Sequence, residues 1–458
     1  MSISSPSLTQ RAKTQVRTFF KDKLFLGNDP TPELIAIVCI YVVRGVLNLA
    51  RLAISFFLKD ELGLSPAEVS VLTGFAVLPW VIKPLFGFLS DGFPILGYRR
   101  RPYLILSGLL GSAAWLTLGT VVNSAFTAAI ALLVSSAAVA ISDVIVDSQV
   151  VERAREESLA NAGSLQSLSW GATALGGLIT AYFSGSLLEL FPPRTIFLLT
   201  AIFPLVFCTM AWLIAEKPVP KTEQAQALSN IQRQIQQLWQ GMRQKRILLP
   251  TLFIFIWQAT PTSESAIFFF ITNELGFEPE FLGRVRLVSS FASLAGVWIF
   301  QRFLKTVSFR KVLGWSTVIS AVLGMSVLLL VTHANRALGI DDYWFSLGDN
   351  LILSAMGEIA LMPILVLAAR LCPSGIEATF FALIMSIFNL AGVLSQELGG
   401  VLTSLLGVTE TDFDRLWLLV ILTNLSTLLP LPLINLLPAG DPMAEAETVS
   451  SAQAETVQ

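Results

Sequence analysis

The sequence predicts an all-α membrane protein of twelve transmembrane helices in two six-helix halves, with both termini cytoplasmic. Three observations predict it. Hydrophobic residues make up 54% of the chain and charged residues only 14%, with a mean hydropathy of +0.69. That is too little charge to cover a soluble fold of 458 residues. Twelve apolar stretches reach the ~20 residues that cross a hydrocarbon core as helix, and the loops between them carry Lys and Arg very unequally on alternate sides.

Residues 1–33 form a cytoplasmic tail whose first 20 positions contain Ser and base but no acid. No cleavable signal is evident, because the first apolar run is too long. The N-terminal half, 34–215, has expected spans Leu34–Leu58, Val69–Leu89, Tyr103–Val122, Phe126–Val150, Leu159–Leu190 and Thr195–Ala215. Residues 216–246 form a cytoplasmic linker that opens with Pro218 and Pro220 and turns Gln-rich. Its Ile231, Ile235, Leu238 and Met242 recur at helical spacing, as in an amphipathic surface helix. The C-terminal half, 247–437, has expected spans Ile247–Asn273, Leu282–Phe303, Val312–Val331, Tyr343–Arg370, Ile376–Leu406 and Leu416–Leu437. The fifth and eleventh exceed the bilayer's need, which implies tilt or a protruding end. Residues 438–458 read as a disordered cytoplasmic tail.

Alternate assignment of the loops puts 21 of the 30 Lys and Arg on the cytoplasmic side and four, Lys59, Arg194, Arg336 and Arg415, on the other. Cationic loops resist translocation, which sets the orientation and supports an even span count. Cys39, Cys208 and Cys372 have no paired spacing, so neither a disulfide framework nor a metal site is expected. The two halves also echo one another. Leu175-Gly176-Gly177-Leu178-Ile179-Thr180 matches Leu398-Gly399-Gly400-Val401-Leu402-Thr403 at an offset of 223, which sets Gln166 opposite Asn389. Such internal symmetry is expected of an alternating-access carrier, although paired glycines also serve close helix packing.

A charge at mid-membrane costs about 2.5–3.5 kcal/mol even on lenient insertion scales, so each one needs a reason. Arg44, Asn48 and Arg51 share one face of the first span, with Arg44 roughly 15 Å along it. Asp143 and Asp147 share a face of the fourth. Glu264 lies in the seventh beside Thr260, Pro261 and Ser263, Glu358 in the tenth, and Gln396 and Glu397 in the eleventh. Gln149, Gln166, Ser167 and Asn389 complete the candidate substrate-binding set. Two readings stay open here. The charges form static interhelical bridges, or they line a polar cavity in which Arg44 and Arg51 hold an anionic group. In the second reading Asp143, Glu264 or Glu358 binds a heterocycle or carries a proton. His333 lies at a span end and is a poor relay, so proton coupling falls to Asp or Glu. Lys83 snorkels or pairs, and Arg284 and Arg286 read as interfacial.

After the second span the chain reads Gly87-Phe-Leu-Ser90-Asp91-Gly92-Phe-Pro94-Ile-Leu-Gly97-Tyr98-Arg99-Arg100-Arg101-Pro102. This resembles the G-x-x-x-D-(R/K)-x-G-R-R signature of the major facilitator superfamily, with Gly92 at the usual base and three extra residues before the Gly-Tyr-Arg. The longer form resembles the folate–biopterin transporter family within that superfamily. Trp80-Val-Ile-Lys83-Pro84, Asp143-Val-Ile-Val-Asp147-Ser148-Gln149-Val-Val-Glu152 and Gly163-Ser164-Leu165-Gln166-Ser167-Leu-Ser-Trp170 agree with it. The resemblance implies the major facilitator fold, proton-linked import of folates or pterins, and a cytoplasmic latch built from Gly87, Asp91, Arg99 and Arg100. Folate carries carboxylates suited to arginine, and its pterin ring has N–H groups suited to a carboxylate.

The chain is therefore expected to be no enzyme and to hold no cofactor, with protons and the lipid bilayer as its other partners and no nucleic acid. The plasma (inner) membrane is the expected site, with an organelle envelope the alternative. The rivals are a carrier for another organic anion or a tetrapyrrole-related compound, a non-transporting assembly factor, and an intramembrane prenyltransferase using Asp143-x-x-x-Asp147. ATP-driven transport lacks a G-x-x-x-x-G-K-(S/T) sequence.

Overall fold

Local punctuation sets the helix starts. Thr31 precedes Pro32 and accepts a hydrogen bond from the Leu34 amide at 3.3 Å, opening α1 (Pro32–Glu61). Ser65 precedes Pro66 and forms a reciprocal box with Glu68, opening α2 (Pro66–Gly92). There follow α3 (Arg101–Thr120), α4 (Ala125–Glu156), α5 (Leu159–Leu190) and α6 (Pro193–Leu213). Beyond the linker come α7 (Lys245–Gln258) and α8 (Glu264–Phe269), the latter continued by a π turn, Phe270–Glu274. The rest are α9 (Pro279–Leu304), α10 (Phe309–Val331), α11 (Asp342–Arg370), α12 (Glu377–Leu405) and α13 (Leu416–Leu436). The computed structural model describes Phe25 and residues 29–156, 159–216, 218, 235–304, 307–372 and 377–437. Of these, 151–156, 159–167, 170, 369–370 and 377–379 are described as backbone alone. Among the described residues the fold is all helical, with one isolated bridge, Ile95 to Tyr98.

Among the described residues, eleven helices are long and apolar enough to cross a membrane. The expected seventh span is not among them, because the chain breaks between α7 and α8. The break is written in Pro261, which has no N–H to offer the Trp257 carbonyl four residues earlier. The Thr260 hydroxyl donates to that carbonyl instead at 3.3 Å, and Ser395 of α12 donates to the Thr260 carbonyl at 2.5 Å. A second proline acts alike in α2. Pro84 leaves the Trp80 carbonyl without a helical donor, and the Asn389 amide of α12 donates to it at 3.3 Å.

The repeat extends beyond the glycine pairs. Gly176 lets α5 lie on α1, since an added Cβ would stand 2.3 Å from the Val42 carbonyl oxygen. Gly399 does the same for α12 at Thr262, at 2.1 Å. Arg101, opening α3, donates to the Ile214 carbonyl after α6 at 2.9 and 2.6 Å. Arg310, opening α10, donates to the Leu437 carbonyl after α13, and Ile214 and Leu437 are again 223 apart. α1 and α8 both end in π turns, Phe57–Glu61 and Phe270–Glu274, followed by Gly63 and Gly276 with positive φ. An offset of 213 relates those features.

The halves meet along two seams. α2 packs on α12, where Ser70 donates to the Gln396 carbonyl at 2.8 Å, and α5 packs on α9 at Gly185 and Gly283. At the end of the bundle far from Pro32 the halves close on each other. Phe56 meets Phe268 edge-on at 5.4 Å, Lys59 donates to Asn273 at 2.8 Å, and Leu52 packs with Phe277, Phe281 and Leu282. Outward-facing apolar side chains such as Leu109, Phe126 and Val322 remain exposed, as lipid-facing surfaces must.

Candidate functional site

Two charge clusters lie within the helices, and they differ in kind. The first belongs to the N-terminal half. Tyr41 and Arg44 share a face of α1 by their i, i+3 spacing, and Asp143 and Asp147 share a face of α4. Lys83 comes from α2, just past its proline break. Asp143 accepts from both Arg44 and Lys83. Lys83 also donates to Asp147 at 2.9 Å, and the Tyr41 hydroxyl donates to Asp147 at 2.5 Å. The Trp80 ring centroid lies 5.5 Å from the Arg44 guanidinium carbon and 5.7 Å from the Lys83 ammonium. Two cations face two carboxylates, so the cluster balances when all four are ionised. Asp143 is sealed, its side chain 2% exposed, whereas Asp147 is 44% exposed.

The second cluster joins the halves. Arg51 of α1 and Glu264 of α8 approach to 3.9 Å, at the edge of ion-pair range, with side chains 67% and 68% exposed. Arg286 of α9 follows Leu282 and Val285, which pack in one cluster with Leu52 and Phe268, neighbours of Arg51 and Glu264. Arg284, by contrast, turns to Glu280 on its own helix at 2.5 Å. The two arginines, both read from the sequence as interfacial, thus have different neighbours.

The other candidates scatter. Asn48 sits exposed at the break in α1 beside Gly177 of α5. Gln149 is 4% exposed at the terminal-side end of α4, where its amide donates to Glu33 at 2.5 Å and accepts from Arg100. Its surroundings fix that orientation. Gln396 and Glu397 lie in the α2–α12 seam against Ser70 and Gly74. Asn389 serves the Trp80 carbonyl, and Glu358 of α11 lies near Ser293 of α9. The side chains of Gln166 and Ser167 lie outside the described residues. The structure thus brings together Arg44, Asp143 and Asp147 as one group and Arg51 with Glu264 as another.

The loop after α2 is clasped from its own half. Consecutive amides of Arg99, Arg100 and Arg101 donate to the Glu216 carboxylate at 2.6, 3.0 and 3.0 Å. Gly87 faces Val144 of α4, where an added Cβ would make only ordinary contact at 3.5 Å, and Asp91 is exposed near the end of α2. Sequence reasoning missed Glu216 and Tyr41, and gave Trp80 and Arg286 no place in the site. Trp80 had a signal in its place four residues before Pro84, and Arg286 in its charge within an apolar span.

Residues 44–456 match the model of the BT1 family. A folate-biopterin transporter of Synechocystis sp. is 62% identical over 435 residues, 95% of this chain and 87% of that one. Folate transporter 2 of Plasmodium falciparum is 33% identical over 404 residues, 88% of each. Among solved structures, a D-xylose–proton symporter superposes with a TM-score of 0.64 at 16% identity, covering 89% of this chain and 98% of the other. A nucleoside transporter superposes at 0.65 and 12% identity, covering 88% and 98%. The solved neighbours share the major facilitator fold, and the curated relatives are named as transporters rather than enzymes.

Proposed function

This chain belongs to the BT1 family, and from that premise we propose that it imports folates and pterins, with protons, by alternating access to one central site. That it is a multi-pass membrane transporter of the major facilitator superfamily follows from its relatives and fold. Its substrate, coupling ion and motion are the further steps. In this reading α7 and α8 together make the seventh of twelve spans, and the halves 34–215 and 247–437 rock about the seams. The linker 216–246 and the tails 1–33 and 438–458 lie in the cytoplasm of a cell whose plasma membrane holds the protein.

The observation that carries the reading is the exposed Arg51–Glu264 pair, at equivalent places of the two halves and within helices rather than loops. Charges left exposed there are explained by an aqueous path and a charged cargo. The far-end closure of Phe56, Phe268, Phe277 and Phe281 would make the site reachable from the terminal side in this state. Asp147, exposed at the rim of a balanced cluster, is the carboxylate best placed to take a proton from water. Protonation there would leave Lys83 to Asp143 alone and would tilt the balance of the cluster toward positive charge. Asp91 acts as the latch, while Glu216 fastens Arg99 and Arg100 to α6 so that the loop moves with its own half.

The test is rescue of growth. Cells unable to make or import folate and expressing this chain should grow on a supplied folate and take up biopterin, but not an unrelated anion such as sulfate. Failure to rescue at normal membrane abundance would remove the substrate assignment and leave the transporter class.

A further inference from the structure

The clusters at Arg44 and Arg51 differ in one decisive respect, which is whether their charges are already used. Arg44 is consumed by Asp143, a carboxylate 2% exposed and shared with Lys83. Arg51 is not consumed. Its contact with Glu264 is 3.9 Å long between two side chains each more than two-thirds exposed. Arg286 brings a second cation, since Leu282 and Val285 just before it pack in one apolar cluster with Leu52 and Phe268, and the three charged side chains sum to one net positive charge.

Packing fixes that meeting. Leu52 follows Arg51, Phe268 lies one turn past Glu264, and Leu282 and Val285 lie just before Arg286. These four apolar side chains belong to one cluster with Phe277 and Phe281. The three charged residues are thus drawn together from α1, α8 and α9, beneath the lid that closes the far end. The offset of 213 that relates Gly63 to Gly276 also relates Arg51 to Glu264, so opposite charges occupy equivalent places of the repeat. Arg286 comes from neither equivalent helix and breaks the balance. α9 extends the polar face inward through Ser290 and Ser293, at i+4 and i+7 from Arg286, to Glu358 on α11.

We propose that Arg51 and Arg286 together form the subsite for the carboxylates of the substrate's glutamate moiety, with Glu264 as the resident anion those carboxylates displace. The inference rests on the folate reading for the name of its ligand, but not for its chemistry. A guanidinium pair offers two planar donor forks, which suits two carboxylates on one small chain. Glu264 offsets the repulsion between the two cations while the site is empty. When a dianion enters, Glu264 gives up Arg51 and faces the α9 side or water.

Binding to the purified full chain tests this with three probes. Folate has the pterin and the glutamate, p-aminobenzoylglutamate has the carboxylates without the pterin, and biopterin has the pterin without carboxylates. Arg286→Gln should weaken folate and p-aminobenzoylglutamate about tenfold to a hundredfold, the loss of one charge-assisted bond, and leave biopterin unchanged. Arg286→Lys should recover part of that loss and guards against a folding defect. Glu264→Gln should tighten both glutamate-bearing probes. Equal losses for all three probes, or weaker anion binding in Glu264→Gln, would overturn the subsite. Wild-type binding of p-aminobenzoylglutamate without biopterin, lost in Arg286→Gln, would support the subsite and sink the pterin reading instead.

Discussion

Neutralising Arg44 alone should destabilise the protein, and neutralising Asp143 with it should restore much of the loss. Arg44, Lys83, Asp143 and Asp147 sum to zero charge within one network. Arg44→Gln leaves two carboxylates to Lys83, one of them on the 2%-exposed side chain of Asp143. Removing one partner of a buried pair costs about 3–5 kcal/mol, and because Arg44 is itself 29% exposed the lower end applies. Asp143→Asn leaves two cations to Asp147 and should cost about as much. The double variant keeps the 2.9 Å Lys83–Asp147 contact as a neutral pair, so the two losses should fall short of additive by about 2–3 kcal/mol. The assay is thermal melting of detergent-solubilised protein by size-exclusion chromatography, wild type beside the three variants. The double variant should melt above either single one. A double variant that melts below both would refute the balanced network and return Arg44 to the list of free anion-binding groups.

Other expectations follow from the same contacts. Glu216→Ala strands three consecutive amides at the start of α3, and should lower the melting temperature by an amount equivalent to about 1–3 kcal/mol. Gly176→Ala and Gly399→Ala should each reduce stability by about 1–3 kcal/mol, because the new Cβ meets backbone on a partner helix; one sensitive and one indifferent glycine would contradict the repeat. Asp91→Asn should cut uptake at unchanged membrane abundance, and unchanged uptake would leave the neighbouring arginines with a topological role only.

Much of the fold is legible in residue type and spacing. Eleven of the expected spans return as helices long and apolar enough to cross a membrane, and Gly176 and Gly399 pack at matching places. The break in the seventh could be foreseen at Pro261, but hydropathy windows average across it. The site is harder to read. Helical spacing places Arg44 and Arg51 on one face of α1, yet the turn at Leu47–Asn48 sends them to different clusters. Spacing along one helix carries no information on the depth and rotation of its neighbours, which decide that Arg44 meets Asp143 and Arg51 meets Glu264. Gln149, Asn389 and Gln396 looked like cavity groups because they are polar in apolar helices. In the structure each also bonds to a neighbour that its own helix does not reveal: Glu33 and Arg100, the Trp80 carbonyl, and Ser70. Arg286 sits two residues from Arg284, and sequence alone gives no means of separating their roles.

Proteoliposome uptake tests the proposed proton-driven carriage of folates and pterins. Purified protein would be reconstituted with an alkaline interior, and radiolabelled folate and biopterin offered outside in sodium-free buffer. Both ligands should accumulate above the outside concentration, with accumulation reduced to simple equilibration by a protonophore and lowered by Asp147→Asn. Equal accumulation with and without the gradient, or none of either ligand by well-folded protein, would contradict it.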